Sequence, residues 1–196
     1  ERIVFSGNGY SQEWVEEAER RGLPNIKTMV EAIPHLVTDK TVNLFEKFGV
    51  FTRAELESRA EINYETYAKA INIEARAMID IASKHIIPAV IKYITSLATS
   101  INQVKEACGA VCVDVQNELL AESSELLSDT RDALKLLTER VDRAAEMPHG
   151  REKAEYFLRE VVPVMNDLRT PVDKLEMIVN KEMWPMPSYG DLLFEV

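Results

Sequence analysis

The stretch that decides the fold is DVQNELLAESSELLSDTRDALKLLTERVDRAAEM, residues 114–147, because its apolar side chains recur every seven residues. A repeat of seven kept over this length is typical of a long helix that packs lengthwise against other helices. We therefore expect a helix from about Asp114, a candidate N-cap, to Met147. The repeat consists of Leu120, Leu127, Leu134 and Val141, and Leu119, Leu126, Leu137 and Ala144 widen the apolar stripe beside it.

A second repeat follows a short turn at Met147-Pro148-His149-Gly150. Its seven-residue steps comprise Ala154, Val161, Leu168 and Leu175. Two repeats joined by so few residues predict two antiparallel helices that share one apolar seam. We expect Leu127 and Leu168 to lie in that seam. Pro163 and Pro171 interrupt the second repeat, and since proline removes a helical hydrogen bond, we expect a bend at one of them.

A third long helix is predicted upstream of these two. Thr52 and Glu55 have the spacing of a capping box, in which each side chain bonds the other residue's backbone N–H. No glycine or proline follows until Pro88, which we expect to kink the helix, because apolar residues keep the helical spacing beyond it. Gly109 marks the expected break. The predicted fold class is therefore all-α: an elongated antiparallel three-helix bundle of long helices at residues 52–182.

Residues 1–51 contain shorter predicted elements, which we interpret as a connector. The chain begins directly with a predicted strand, without an initiator Met or a signal peptide, and this start favours a piece cut from a longer polypeptide. The predicted order is a short strand at residues 1–5, a tight turn at Gly7-Asn8-Gly9, a helix at residues 12–21 capped by Ser11, a brief helix capped by Thr28 with Glu31, and a helix at about residues 39–48 closed by Gly49.

The last predicted part is an extended C-terminal tail, residues 183–196. Pro185 and Pro187 exclude a continuous helix there, yet the segment is rich in apolar side chains. Because leaving such a segment in water is costly, we expect it to dock on the bundle, on a neighbouring domain or on another subunit. The candidate docking residues are Trp184, Pro185, Tyr189 and Phe194.

The composition narrows the classes of partner. The 196 residues carry a formal net charge of -10, whereas a protein that binds nucleic-acid phosphates needs a basic surface. The most apolar run, residues 86–97, contains Lys92 and Ser96 and is too short to span a bilayer. Two cysteines do not make a secreted disulfide framework. We expect a cytoplasmic chain with no nucleic-acid partner and no membrane partner.

The residues that could carry chemistry are scattered along the chain. His35, His85 and His149 lie on separate predicted segments without a second ligand type at metal spacing. Cys108 and Cys112 stand four apart, and one helical face would allow a thiol pair, but the expected break between them favours two small buried residues at a helix junction. The carboxylates alternate with Lys and Arg, as on solvated helix surfaces. We predict no catalytic, cofactor-binding or metal-binding residue in this chain.

Seven short motifs are harder to explain as a generic bundle. They are RIVFSGNGYSQEW at residues 2–14, AERRGLPN at 18–25, LFEKFGV at 44–50, ELESR at 55–59, NIEA at 72–75, IPAV at 87–90 and WPMPSY at 184–189. The first two resemble the junction at which the catalytic domain of type III glutamine synthetases passes into their C-terminal region, and the other five resemble that C-terminal region in order. The resemblance covers essentially the whole chain.

The resemblance implies a parent enzyme that joins glutamate and ammonia with ATP and Mg or Mn, through a γ-glutamyl phosphate, in a ring-stacked homo-oligomer. The family's metal, glutamate and nucleotide residues match no position of this chain, so the resemblance implies a helical domain that is inactive alone and serves structure or assembly. Its expected partners are its own catalytic domain and other subunits, and no cofactor is expected in the chain itself. The alternative is a helical interaction module unrelated to catalysis.

Overall fold

The computed structural model describes residues 3–194, and this part of the chain contains helices and connecting segments but no strand. The predicted all-α class is therefore confirmed. The α-helices are α1 (Gln12–Arg20), α2 (Met29–Ala32), α3 (Asp39–Lys47), α4 (Arg53–Ile81), α5 (Ile87–Ala107), α6 (Asp114–Ala145), α7 (Arg151–Tyr156), α8 (Val162–Ile178) and α9 (Tyr189–Phe194). A 3₁₀ helix follows α2 at Ile33–Val37.

The strand predicted at residues 1–5 does not form where the structure describes it. Glu1 and Arg2 lie outside the described residues, and residues 3–5 form a turn and coil. A strand needs a neighbouring strand to satisfy its backbone hydrogen bonds, and the described part of the chain supplies none. The Phe5 side chain instead packs on Trp14 of α1, with the ring centroids 4.7 Å apart.

The chain divides into two compact units, Glu1–Tyr67 and Ala68–Val196, and the division falls within α4. The three-part division expected from the sequence stays a prediction. In the first unit the buried apolar side chains come from the short helices and from the beginning of α4. They are Val30, Ile33, Val42, Leu56, Ala60 and Tyr64.

Side-chain caps start two helices of the first unit as predicted. The Glu31 backbone N–H donates to Thr28 Oγ1 at 3.2 Å, and the Thr28 hydroxyl donates to the Glu31 carboxylate at 2.9 Å. Before α4, the Thr52 N–H donates to Glu55 Oε2 at 2.7 Å, and this hydrogen bonding lowers the pKa of Glu55. Ser11 stands at the N-cap of α1, but its hydroxyl donates to the Asn8 carbonyl at 2.8 Å instead of capping the helix.

Glycines end α1 and α3, as their positions in the sequence predict. Gly22 and Gly49 have φ values of +67° and +64°, a region that glycine enters without steric cost. In both places the chain closes a Schellman motif, in which backbone N–H groups beyond the helix return to its last carbonyls. The Leu23 N–H donates to the Ala18 carbonyl at 2.9 Å, and the Val50 N–H donates to the Phe45 carbonyl at 2.9 Å.

In the second unit, α6 packs against both α5 and α8. Leu126, in the first half of α6, contacts a core that includes Leu175, near the end of α8. Arg140, near the end of α6, pairs with Glu160 before the start of α8 at 3.1 Å. These two contacts make α6 and α8 antiparallel. The core cluster consists of Ile86, Val90, Tyr93, Leu126, Leu175 and Val179.

The buried stripe of α6 is rotated from the predicted one. Leu134 and Val141 are buried as expected, but Leu120 and Leu127 are only half-buried. Two polar residues, Ser123 and Thr130, are instead fully buried on the inner face. The hydrophobic repeat cannot distinguish adjacent leucines, whereas packing on α5 and α8 selects one face of the helix. The buried residues of α6 are Ser123, Leu126, Thr130, Leu134, Leu137, Val141 and Ala144.

Two prolines lie just after π-helical turns. Ala82–Ile86 forms such a turn before α5, and Pro88 occupies the first turn of that helix. Phe157–Val161 forms another before α8, which contains Pro163 in its first turn. A proline has no N–H for the carbonyl four residues earlier, and the wider π turn lets the chain stay helical without that bond. Pro171 lies buried inside α8.

Candidate functional site

The C-terminal segment after α8 begins with a tight turn that docks on the core. The Trp184 N–H donates to the Asn180 carbonyl at 3.0 Å, and the Asn180 side chain accepts the Glu182 N–H at 2.8 Å. This turn brings Met183 and Trp184 against the core cluster formed by α5, α6 and α8. The Trp184 indole N–H is buried and has no hydrogen-bond partner among the described residues.

Beyond the turn, Met186 lines an apolar cavity of about 180 Å³. Ile81, Ala82 and Ile86 line the cavity at the first π-helical turn, and Leu168 and Val172 of α8, with Met78 and Arg169, complete the wall. Arg169 is engaged by Asp173 at 3.0 Å on the exposed side of α8. The cavity therefore gives the tail an apolar surface on which to pack.

A capping box that the sequence analysis did not identify starts α9. The Ser188 N–H donates to Asp191 Oδ2 at 2.7 Å, and the Asp191 N–H returns to Ser188 Oγ at 3.3 Å. Lys181, from the turn after α8, donates to Asp191 Oδ1 at 2.8 Å. The Lys181 ammonium first, and then the Ser188 N–H and hydroxyl, lower the pKa of Asp191 to about 2. This clasp of Lys181, Ser188 and Asp191 ties α9 to the turn.

The short helix α9 presents its apolar side chains to solvent. Tyr189 is 85% exposed, Leu192 68%, Leu193 71% and Phe194 82%. Four large apolar side chains on six residues are unusual for a free surface and typical of an interaction site. Along the sequence, the tail residues that pack on this chain are thus followed directly by those that remain exposed.

The structure places the four predicted docking residues in two environments. Trp184 docks on the core of this chain, whereas Pro185, Tyr189 and Phe194 remain exposed. The tail is not extended throughout, because residues 189–194 form α9. Sequence reasoning missed the Ser188 cap, although Ser188 with Asp191 three residues later carries the signal of an N-terminus. The two neighbouring prolines suggested an extended chain instead.

The first motif of the resemblance folds into a cluster on α1. The Arg21 guanidinium lies 5.6 Å from the Trp14 ring centroid and donates to the Val4 carbonyl at 2.7 Å. Arg21 also donates to Glu17, and this bond contributes most to lowering the pKa of Glu17. Together with the stacking of Phe5 on Trp14, these contacts hold the N-terminal segment on α1.

The predicted tight turn at Gly7-Asn8-Gly9 is present. Asn8 accepts the Ser11 N–H on its carbonyl at 3.0 Å and the Tyr10 N–H on its side chain at 3.0 Å. An asparagine side chain that bonds the backbone two residues ahead is typical of a turn, not of a phosphate loop. The interpretation as a turn is therefore confirmed.

Each histidine lies on a segment of its own: the 3₁₀ helix, the first π-helical turn and the turn between α6 and α7. His35, His85 and His149 are all exposed. Across residues 3–194 the structure groups no three His, Cys, Asp or Glu side chains that could hold a metal ion. In the same range, every helix is too short or too polar to traverse a lipid bilayer.

The prediction that Cys108 and Cys112 are buried is wrong. Both cysteines are exposed and neither forms a disulfide. They lie in the loop between α5 and α6, where only Val113 is buried. The helix ends at Ala107, so neither side chain faces a helical seam.

Comparison with known proteins gives a consistent result. A family model described as the glutamine synthetase C-terminal domain matches residues 1–105. The chain is 33% identical over 195 residues, with 100% of the chain covered, to a glutamine synthetase of Butyrivibrio fibrisolvens. It is 33% identical over 198 positions, with 99% of the chain covered, to a glutamine synthetase of Bacteroides fragilis (strain YCH46). A type-3 glutamine synthetase of Dictyostelium discoideum is 32% identical over 197 positions, covering 98% of the chain.

The chain spans only 27–28% of the length of these relatives. The family model covers more than half of the chain, and all three alignments run along almost the whole of it. The chain belongs to the glutamine synthetase C-terminal domain family.

Proposed function

We propose that this chain is the C-terminal helical domain of a type III glutamine synthetase and that it serves assembly rather than catalysis. The parent enzyme would make glutamine from glutamate, ammonia and ATP, with Mg or Mn. The observation that carries the proposal is the similarity itself, which runs along 98–100% of the chain while leaving nearly three quarters of each relative outside the match. It favours this reading over a helical module unrelated to catalysis.

The chemistry of the parent would belong to the part of the enzyme upstream of this domain. A divalent metal that binds ATP needs several carboxylate ligands close together. The described residues do not fit that requirement, since they bring no three metal-ligating side chains into one group. We place the ATP and metal sites outside this chain, and the cytoplasm as the location of the parent, in keeping with two exposed cysteines left unpaired.

The proposed role in assembly rests on the exposed apolar side chains of α9. We propose that Tyr189, Leu192, Leu193 and Phe194 pack on the catalytic domain or a neighbouring subunit of the same enzyme. Their exposure of 68–85% in this chain leaves them free for such a contact. Buried aromatic and aliphatic anchors of this kind often dominate the energy of an interface.

The part of the tail before α9 would hold this helix in a fixed position for that contact. Trp184 is seated on the core and the Lys181–Asp191 ion pair of 2.8 Å holds α9 near the turn, so little chain entropy remains to be lost on docking. The elongated three-helix bundle expected from the sequence would be the structure to which this part of the tail is fixed.

The test uses the full-length enzyme with Leu193→Ser and Phe194→Ser combined. A matched control, Met177→Ser, changes a side chain that is 84% exposed on α8 and outside α9. We expect the double variant to shift the enzyme to smaller oligomers in sedimentation velocity, with activity falling in proportion, while the control behaves as wild type. A double variant with the wild-type sedimentation profile and full activity contradicts the assembly role.

A second test addresses the absence of catalysis in this domain. The purified chain should show no glutamine synthesis, γ-glutamyl transfer or ATP hydrolysis at saturating Mg or Mn. Turnover that follows the protein peak through repeated purification would place part of the active site in this chain and contradict the proposal.

A further inference from the structure

The loop between α5 and α6 carries two exposed thiols that the proposed function does not use. α5 ends at Ala107 and α6 begins at Asp114, and the last helical bond of α5 joins the Cys108 N–H to the Val104 carbonyl at 3.0 Å. Cys108 and Cys112 are both exposed and unpaired. They are the only cysteines of the chain.

A tight turn separates the two cysteines. The Val111 N–H donates to the Cys108 carbonyl at 3.2 Å, so residues 108–111 form a β-turn and Cys112 follows it directly. The ends of a β-turn lie within about 7 Å of each other, measured between their Cα atoms. That limit holds for Cys108 and Val111, and the Cα atom of Cys112 lies about 3.8 Å further along the chain. A disulfide needs two Cα atoms roughly 4.4–6.8 Å apart, so closing a Cys108–Cys112 bond requires the loop backbone to move by a few Å at most.

Within residues 3–194, no packed side chain opposes a small movement of the loop backbone. Residues 107–112 are all exposed, and Gly109 and Ala110 at the centre of the turn add no bulk. A side chain built on Gly109 would meet only the Lys105 carbonyl, at 3.9 Å. The loop is anchored on its far side by Val113, which is 5% exposed.

We propose that Cys108 and Cys112 are a redox-active dithiol that exchanges with a low-molecular-weight disulfide such as oxidised glutathione. One cysteine thiolate attacks a glutathione sulfur, forms a mixed disulfide and releases one glutathione thiolate. The second cysteine thiolate then attacks the protein sulfur of that mixed disulfide and releases the other glutathione thiolate. The two cysteines lose two electrons and two protons, the glutathione disulfide gains both, and an intramolecular Cys108–Cys112 disulfide remains.

The exposure of both thiols fits this role. Redox-sensing cysteines are accessible to solvent and often lie beside a resolving cysteine. The disulfide would close within the loop and leave the packing of α5 on α6 as it is. The site lies outside residues 1–105, the part that the family model matches, and the proposal does not depend on the proposed function.

The experiment equilibrates the reduced 196-residue chain with mixtures of oxidised and reduced glutathione, quenches with acid and measures intact mass after alkylation of free thiols. We expect a monomeric product about 2 Da lighter than the reduced chain, with neither cysteine open to alkylation. The Cys112→Ser variant should stop at a mixed disulfide with one glutathione, because the resolving thiol is missing.

A matched control moves the second thiol out of the turn. Cys112→Ser combined with Val115→Cys keeps two exposed cysteines, since Val115 is 66% exposed on α6. This control should accumulate glutathione adducts under conditions that close the wild-type pair. Glutathione on both wild-type cysteines, a covalent dimer, or equal closure in wild type and control would each overturn the proposal.

Discussion

Replacing Leu175 by alanine should remove a central part of the core that seats the tail. Leu175 is fully buried in the cluster shared by α5, α6 and α8. The change deletes three carbon atoms, worth about 2.4 kcal/mol at roughly 0.8 kcal/mol for each buried methylene. The cavity left behind adds to this loss, so we expect the free energy of unfolding to fall by about 3–5 kcal/mol.

Urea denaturation followed by far-UV circular dichroism measures this loss. The control is Met177→Ala, two residues further along α8, whose side chain is 84% exposed and should change the free energy of unfolding by less than about 0.5 kcal/mol. Leu175→Ala should lower the urea midpoint without a large change in slope. Equal midpoints for Leu175→Ala and Met177→Ala would refute the packing of α8 described above.

Three further predictions concern single side chains. Leu168→Ala should lower the free energy of unfolding by about 2–5 kcal/mol, and Leu127→Ala should lower it clearly less, because Leu168 is 1% exposed whereas Leu127 is half-buried. A lower urea midpoint for Leu127→Ala than for Leu168→Ala would contradict this. Ser123→Ala should stabilise the chain by about 1 kcal/mol, since its buried hydroxyl has no partner in the structure, and a lower urea midpoint would show that the hydroxyl is bonded. The Asp191 carboxyl should titrate near pH 2 when followed by NMR. The clasp stabilises the fold fully above the ordinary pKa of 3.8, and this stabilisation is lost as the pH falls to about 2. A titration midpoint at pH 3.8 would exclude the clasp.

The local signals of the sequence predicted several helix ends of the first unit, although residues 3–5 form no strand and Ser11 does not cap α1. Thr28 with Glu31 and Thr52 with Glu55 cap their helices as expected, and Gly49 ends α3. Each of these features depends on three or four adjacent residues, so the sequence contains all the information that decides it. The all-α class followed from the length and spacing of the apolar repeats for the same reason.

Features that depend on distant contacts were predicted less well. The leucine repeat favoured Leu120 and Leu127, whereas packing buries Ser123 and Thr130 on α6. Asp114 was expected to be the N-cap of α6, but Val113 holds that position and is buried. Rotating a helix about its axis by a fraction of a turn changes which side chains face a neighbour, and the sequence of a single helix does not specify the neighbour.

The candidate site combined both kinds of outcome. The apolar character of the tail predicted a docking segment, and this stays a prediction; in the structure Trp184 packs against the core of this chain. The division into a seated part and an exposed α9 was missed, because it depends on the clasp between Lys181 and Asp191, ten residues apart. The exposure of Cys108 was also missed, since it depends on where α5 ends.

We expect the exposed side chains of α9 to be covered when this domain is part of the full-length enzyme. Hydrogen–deuterium exchange of the backbone amides at residues 189–194, compared between this chain and the full-length enzyme, measures this coverage. The amides should exchange fast in the chain alone and be strongly protected in the enzyme, with residues 126–137 of α6 equally protected in both. Equally fast exchange of residues 189–194 in both proteins would show that α9 is not covered in the enzyme.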